Sequence, residues 1–97
     1  MSKLILTVDD SASMRMLLKA SLTAQGFRIE SADDGVHGLE RMHEVKPDLL
    51  ITDINMPRMD GFELIEAVRG VPEFRGTPIL VLSTKFSDDK KARAREA

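Results

Sequence analysis

The sequence predicts an α/β fold, in which a parallel sheet carries helices on both faces. Short apolar runs alternate along the chain with stretches in which apolar residues recur every three or four positions. Such alternation is typical of a parallel sheet, and near-continuous apolar runs fit strands that are buried on both faces. Right-handed crossovers then fix most of the topology. The length of 97 residues points to one domain.

The strands are predicted from apolar runs that are too short for helices. They are residues 4–8, 28–32, 49–52 and 79–82. The helices are predicted from apolar stripes between these runs. The stripes are Met14, Leu17, Leu18 and Leu22, then Val36, Leu39 and Met42, then Leu64, Ile65 and Val68.

Capping and turn residues agree with these boundaries. They are Ser11 or Ser13 before the first helix and Gly26 after it, Asp33, Asp34 and Gly35 before the second helix and Pro47 after it, Gly61 at the start of the third, and residues 87–89 before a fourth. The predicted order is therefore β-α-β-α-β-α-β-α.

Composition excludes several classes of protein. The net charge is −2 with no block of like charges, so we expect no nucleic-acid binding, and interpret the basic residues at 90–95 as a solvated helix face. Without cysteine there are no disulfides and no cysteine-based zinc sites. No apolar run approaches the roughly 18 residues of a membrane span. The N-terminus has no signal-peptide pattern, so we expect a cytoplasmic location without membrane contact.

Acidic and hydroxyl side chains follow three of the predicted strands. Asp9 and Asp10 come after the first strand, Asp53 ends the third, and Ser83 and Thr84 end the fourth. Ligands of open α/β sheets bind outside the carboxyl ends of the strands. We therefore expect these side chains to converge on one rim of the sheet.

Three close carboxylates need a counter-charge. Two carboxylates about 4 Å apart repel by about 4 kcal/mol at an effective dielectric near 20, so such a cluster requires a cation or a shared proton. All-oxygen ligands suit Mg²⁺, and a carboxylate beside Mg²⁺ can attack phosphorus to form an aspartyl phosphate. The structural alternative is that Asp9 and Asp10 cap the following helix, which would be the better hypothesis for that pair alone.

Three motifs resemble those of the response-regulator receiver domains of two-component systems. Residues 6–11 resemble the first strand and acidic pair of that family, residues 53–61 its phosphorylation loop, and residues 78–84 its fourth strand and switch hydroxyl. The resemblance covers nearly the whole chain in order, and single-domain chemotaxis members such as CheY are the most similar. It implies a flavodoxin-like (CheY-like) doubly wound parallel sheet with the strand order 2-1-3-4(-5).

The resemblance implies a role for each matched residue. Asp53 is the phosphoacceptor, which takes a phosphoryl group from a phosphohistidine of a sensor histidine kinase. Mg²⁺ is held by Asp9 or Asp10, more often the second, together with Asp53 and the backbone carbonyl of Asn55. Ser83 is the switch hydroxyl. The implied function is a phosphorylation-controlled switch of contacts with a downstream protein, in chemotaxis or related signalling. Such a domain is not an enzyme with a separate substrate but catalyses its own phosphorylation and dephosphorylation.

Other matched residues shape or tune this site. Pro57 fixes φ, and Gly61 permits a tight turn into the third helix. In the family, the positions of Asn55 and Lys85 flank the attacking water, so we expect both to affect the lifetime of the phosphoryl group. Thr84 stands where the family usually has Ala or Gly, which narrows access to that group.

The family continues with a fifth strand, which carries a lysine and a switch aromatic, and a fifth helix. No residue here takes the role of that lysine. We therefore expect residues 1–97 to form a receiver domain cut short within its fourth helix, with residues 79–82 as an open edge. An open apolar edge is a template for pairing, so we expect weak phosphorylation and self-association or domain swapping through this strand.

Other hypotheses fit less of the sequence. A haloacid-dehalogenase-like phosphohydrolase also uses a strand-end Asp and Mg²⁺, but Asn55 replaces its general acid and the chain is too short for a substrate cap. A flavodoxin-like cofactor binder needs a Ser/Thr/Gly-rich loop where Asp9 and Asp10 stand. A degenerate, unphosphorylated receiver stays open as an alternative. His37 and His43 lie off the apolar stripe of their helix, and we expect them to be exposed.

Overall fold

The computed structural model describes residues 3–56 and 58–82, which form strands and helices in strict alternation. The elements are β1 (Leu4–Val8), α1 (Ala12–Ala24), β2 (Arg28–Ala32), α2 (Gly35–Val45), β3 (Leu49–Asp53), α3 (Gly61–Arg69), a short 3-10 helix (Pro72–Phe74) and β4 (Ile79–Leu82). The predicted strands are confirmed, with β3 one residue longer at its end. The predicted fourth helix lies outside the described residues.

The four strands form one parallel sheet in the order β2-β1-β3-β4, which confirms the doubly wound order. In register, Val8 pairs with Ala32 on one side and Thr52 on the other, and Asp53 pairs with Leu82. The chain crosses the sheet in one direction from β1 to β2 and in the other from β2 to β3. Right-handed crossovers therefore place α1 on one face and α2 and α3 on the other.

The hydrophobic core lies between the sheet and the pair of helices α2 and α3. Side chains alternate along β1, so Leu6 and Val8 point into this core while Ile5 and Thr7 point to the other face, where α1 contacts β1. The core cluster contains Leu6, Val8, Ala32, Met42, Leu50, Met56, Leu64, Val68 and Phe74. The two central strands are thus buried on both faces, as expected of a doubly wound sheet.

The outer elements are less buried than their apolar residues predict. Helix α1 has no buried residue, and Leu17, a member of its predicted stripe, is 59% exposed. On β4, Leu80 and Val81 are 49% and 37% exposed. Burial on both faces holds for the central strands β1 and β3. The exposure of β4, the outer strand of the described sheet, agrees with the open edge predicted for residues 79–82.

Candidate functional site

Three carboxylates meet at the carboxyl edge of the two central strands. Asp9 and Asp10 follow β1 and Asp53 ends β3, and these strands are direct neighbours. One carboxylate oxygen from each of the three lies within 4.8 Å of the others. Asp9 and Asp53 are 2% and 3% exposed, whereas Asp10 is exposed to solvent. The structure thus brings together the acidic residues that the sequence places at separate strand ends.

Backbone hydrogen bonds orient the two buried carboxylates. Oδ1 of Asp9 accepts from the backbone N–H of Ser11 at 2.8 Å, and Oδ1 of Asp53 accepts from that of Ile54 at 2.8 Å. Ser11 is itself the N-cap of α1, since its hydroxyl accepts from the N–H of Met14 at 3.2 Å. Asp9 therefore supports the start of α1 through Ser11. The alternative that Asp9 and Asp10 only cap this helix is met in part, because the N-cap itself is Ser11.

The arrangement is suited to a divalent cation. Carboxylate oxygens within 4.8 Å of one another repel by roughly 3 kcal/mol or more for each pair at an effective dielectric of about 20. Burial of Asp9 and Asp53 limits the screening by water. A cation placed among the three removes this repulsion. The donors are all carboxylate oxygens, which fit Mg²⁺ and similar hard cations. The residues present therefore fit the metal that the sequence predicts.

Both histidines lie away from this cluster. Nδ1 of His37 is 3.0 Å from the carboxylate of Asp33, and the side chain is 42% exposed. His43 is exposed, as predicted, and its ring packs at 5.2 Å from that of Phe74. Neither is in the group of possible metal ligands found among the described residues.

The loop between β3 and α3 folds closely over the end of β3. The N–H of Gly61 donates to the carbonyl of Ile54 at 2.8 Å. A Cβ on Gly61 would stand 2.9 Å from the Cα of Ile54 and closer still to the carbonyl oxygen of Asp53. Its φ lies outside the left-handed region. Glycine is therefore required at position 61 because the backbone at the end of β3 approaches it too closely for a Cβ. This corrects the sequence-based explanation, in which Gly61 is needed for its backbone freedom in a turn.

A sequence profile described as the response regulator receiver domain matches residues 5–97. This chain belongs to that family. The receiver domain is 38% identical to the response regulator MprA of Mycobacterium tuberculosis (strain H37Rv) over 97 residues, which are 100% of this chain and 41% of MprA. It thus spans about two-fifths of the length of such curated relatives.

Solved structures show the same relationship. The chemotaxis response regulator CheY4 of Vibrio cholerae matches with a TM-score of 0.86 and 38% identity, covering 99% of this receiver domain and 80% of that chain. A response regulator protein from Burkholderia multivorans matches with a TM-score of 0.69 and 47% identity, covering 99% and 77%. The flavodoxin-like fold of the family is therefore confirmed.

Of the remaining predicted site residues, the structure describes only Asn55. Asn55 lies two positions after Asp53, in the loop that leads to α3 of the receiver domain, and is exposed. The other predicted residues of the site and its loop lie outside the described residues, namely Pro57, Ser83, Thr84 and Lys85. Among the described residues, no helix has both the length and the apolar character that a membrane crossing needs.

Sequence reasoning missed two arginines that hold the loops of the receiver domain. Nη1 of Arg15, on α1, donates to the backbone carbonyl of Asp9. Arg58, in the β3–α3 loop, forms an ion pair with Asp34, the N-cap of α2. Asp34 was predictable as a cap from the residues around it. No sequence pattern pairs either arginine with its partner, because both contacts depend on how separate loops meet.

Proposed function

We propose that this receiver domain accepts a phosphoryl group on Asp53 in a Mg²⁺-dependent reaction and thereby switches its contacts with other proteins. The observation that supports this most directly is the approach of Asp9, Asp10 and Asp53 to within 4.8 Å at one edge of the sheet. Membership of the receiver family supports the same function. A buried carboxylate that only capped a helix would not need two further carboxylates beside it.

We assign the metal to Asp10, Asp9 and Asp53, with the backbone carbonyl of Asn55 as a further ligand. Mg²⁺, when bound, neutralises these carboxylates and offsets the charge that builds up on a phosphoryl group during transfer. The exposure of Asp10 leaves one side of the cluster open to solvent. That open side is where a metal with its remaining waters and a phosphodonor can enter.

In the proposed reaction, a carboxylate oxygen of Asp53 forms a bond to phosphorus as the bond from phosphorus to the donor's imidazole nitrogen breaks. The hydrogen bond from the N–H of Ile54 holds the carboxylate in place for this in-line displacement. The domain catalyses its own phosphorylation and later dephosphorylation. We propose that Asn55 and Lys85 control the lifetime of the phosphoryl group and that Thr84 narrows the access of water to it. We propose the hydroxyl of Ser83 as the group that switches the conformation.

The proposed partners follow from this chemistry. A sensor histidine kinase supplies the phosphoryl group from a phosphohistidine, and a downstream protein reads the phosphorylated state. The pathway we propose is chemotaxis or related signalling, which the similarity to the chemotaxis regulator CheY4 supports. We propose a cytoplasmic location, with no nucleic acid and no membrane among the partners. A second copy of the chain is a further candidate partner, through the exposed side chains of β4.

Intact mass spectrometry tests the phosphoacceptor. The chain is incubated with acetyl phosphate with and without Mg²⁺, and the parent should gain a phosphoryl mass only with the metal. Asp53→Asn keeps the shape but removes the nucleophile, so it should gain none. Asp33→Asn, whose carboxylate is 62% exposed and faces His37 instead, is the matched control and should behave as the parent. Equal labelling of Asp53→Asn and the parent would exclude Asp53.

A further inference from the structure

An ion pair ties the loop that follows Asp53 to the start of α2. Nε of Arg58 donates to Oδ2 of Asp34 at 2.7 Å, and Nη2 of the same guanidinium lies 2.5 Å from that oxygen. The side chain of Asp34 is only 8% exposed, and its other oxygen accepts from the backbone N–H of His37 at 2.9 Å. One buried carboxylate therefore joins the β3–α3 loop to a helix N-terminus that packs on the sheet.

The backbone at Arg58 is left-handed, with a φ of 66°. The only other described residue with a side chain and a positive φ is Lys46, where α2 ends and its N–H donates to the carbonyl of Met42. Helix ends commonly take this conformation, but no helix ends at Arg58. Because the left-handed region costs such a residue roughly 1–2 kcal/mol, surrounding contacts must hold Arg58 there. The charge-assisted pair with Asp34 is such a contact.

A second contact binds the same two segments together. The carbonyl of Met59 accepts from the N–H of Gly35 at 3.2 Å. A Cβ on Gly35 would stand 2.7 Å from Cβ and Cγ of Met59 and closer still to its backbone carbonyl oxygen, so only glycine allows the two backbones to approach this closely. Two consecutive loop residues are thus attached to two consecutive residues at the start of α2. The loop cannot move along α2 without breaking both attachments.

Asn55 lies in the stretch between these attachments and the end of β3. Its neighbours Ile54 and Met56 are 4% and 7% exposed, whereas Asn55 itself is exposed. At the far end of the loop, the N–H of Gly61 donates to the carbonyl of Ile54. Asn55 is therefore flanked in the sequence by two fixed points, Ile54 before it and Arg58 after it.

We propose that Arg58 and Asp34 are positioning residues for the metal site, because their ion pair holds the loop in the conformation that presents Asn55 beside Asp53. The inference rests on the proposed function. Loss of the pair leaves the three carboxylates in place. The expected consequence is therefore a metal site that is weaker rather than absent.

The test measures Mn²⁺ affinity by electron paramagnetic resonance, because the chain has no Trp or Tyr to report binding by fluorescence. Arg58→Asn removes the guanidinium and keeps a residue that tolerates a positive φ. Asp34→Asn keeps a good N-cap and removes the charge. Each should lower the affinity roughly tenfold, as for other partners that orient metal ligands. The double variant should bind Mn²⁺ as tightly as the single variant with the lower affinity, because the two substitutions remove the same interaction.

Two further variants separate positioning from general stability. Arg58→Lys keeps the charge without the planar fork, so it should restore part of the affinity lost in Arg58→Asn. Arg41→Gln breaks a different ion pair of α2, with Glu30, and should leave the affinity unchanged. In the absence of metal, the amide resonances of Asn55 should shift in Arg58→Asn and not in Arg41→Gln.

The outcomes distinguish this inference from the function on which it rests. If the parent does not bind Mn²⁺, the proposed metal site is wrong and the inference is overturned with it. If the parent binds and Arg58→Asn binds equally well, the inference alone is overturned. An equal loss of affinity in Arg41→Gln would also overturn it, because the effect would then be one of overall stability.

Discussion

The carbonyl oxygen of Asp53 lies where a side chain on Gly61 would have to stand. A Cβ at this position would come closer to that oxygen than to the Cα of Ile54, from which it would be 2.9 Å away. Neither neighbour is a flexible side-chain end that could turn aside, because both are backbone atoms. The start of α3 and the proposed phosphoacceptor therefore share one tightly packed backbone contact.

Gly61→Ala should destabilise the fold and disturb the site together. Overpacking against backbone costs typically about 1–3 kcal/mol, and we expect the upper part of that range. Urea unfolding followed by circular dichroism measures the loss. Gly76→Ala is the matched control, since a Cβ there meets nothing within 4 Å, and it should leave stability unchanged or raise it by up to about 1 kcal/mol. Equal stability of both variants would show that the backbone at Gly61 yields easily.

Asp10→Asn should weaken Mg²⁺ or Mn²⁺ binding at least tenfold, because even the loss of a residue that only orients a ligand costs roughly this much. The amide keeps the size and loses the negative charge. His37→Ala is the control, since His37 pairs with Asp33 outside the acidic cluster. Calorimetric titration of both variants measures the difference. Equal affinities in Asp10→Asn and the parent would remove Asp10 from the site.

The charge on Asp34 should make part of the stability depend on pH. The N–H of His37 lowers the pKa of Asp34 below its ordinary value of 3.8, helped by Arg58 and opposed by burial. A lowered folded-state pKa contributes stability that is present above the unfolded pKa and is lost as the pH falls through the folded one. The stability difference between the parent and Asp34→Asn should therefore be full at neutral pH and shrink below about pH 4.

Val68→Ala is the control for that pH dependence. Val68 is fully buried in the core and carries no charge. The loss of unfolding free energy in Val68→Ala, relative to the parent, should therefore stay the same across the pH range. Unfolding curves by circular dichroism between neutral pH and about pH 3 provide both differences. A stability difference between the parent and Asp34→Asn that stays constant over this range would contradict the role of the Asp34 charge.

Ser83→Ala should separate metal binding from switching. We expect the hydroxyl to move toward the charged phosphoryl oxygens and to pull the loop after β4 with it. Beryllofluoride with Mg²⁺ serves as the phosphoryl mimic, and amide shifts of β4 are the readout. The variant should bind Mg²⁺ as the parent does and show smaller shifts, whereas Ser13→Ala on α1 should show the full change. The switch would be ruled out by a parent whose β4 shifts do not respond.

The exposed side chains of β4 should make the 97-residue chain associate with itself. Leu80 and Val81 lie on opposite faces of this outer strand and are 49% and 37% exposed. Exposed apolar edge strands pair readily, and a lysine on the edge prevents pairing. Light scattering should show concentration-dependent association that Leu80→Lys reduces. Leu17→Lys, which changes a leucine on α1 that is 59% exposed, should leave the association unaltered. A parent that stays monomeric at all concentrations would refute this.

The sequence by itself determined the order of the described strands and long helices, the bounds of the strands to within one residue, and the edge at which the acidic residues lie. These are local properties. A run such as residues 49–52 can be read as a strand without its neighbours, and parallel strands put Asp9 and Asp53 at the same end of any sheet they join. The cap formed by Asp34 is local too, because it bonds to the backbone three residues away.

Only the tertiary structure decided which residues from distant segments of the chain contact one another. Arg58 and Asp34 are 24 positions apart, and they meet because the sheet order places the β3–α3 loop beside the start of α2. The need for glycine at position 61 arises from the close approach of α3 to the end of β3, not from its own backbone angles. Likewise, the spacing of Leu17 predicts a buried stripe, but its exposure depends on what covers α1. Periodicity fixes which residues share a face, whereas burial and pairing depend on the partner that the fold brings to that face.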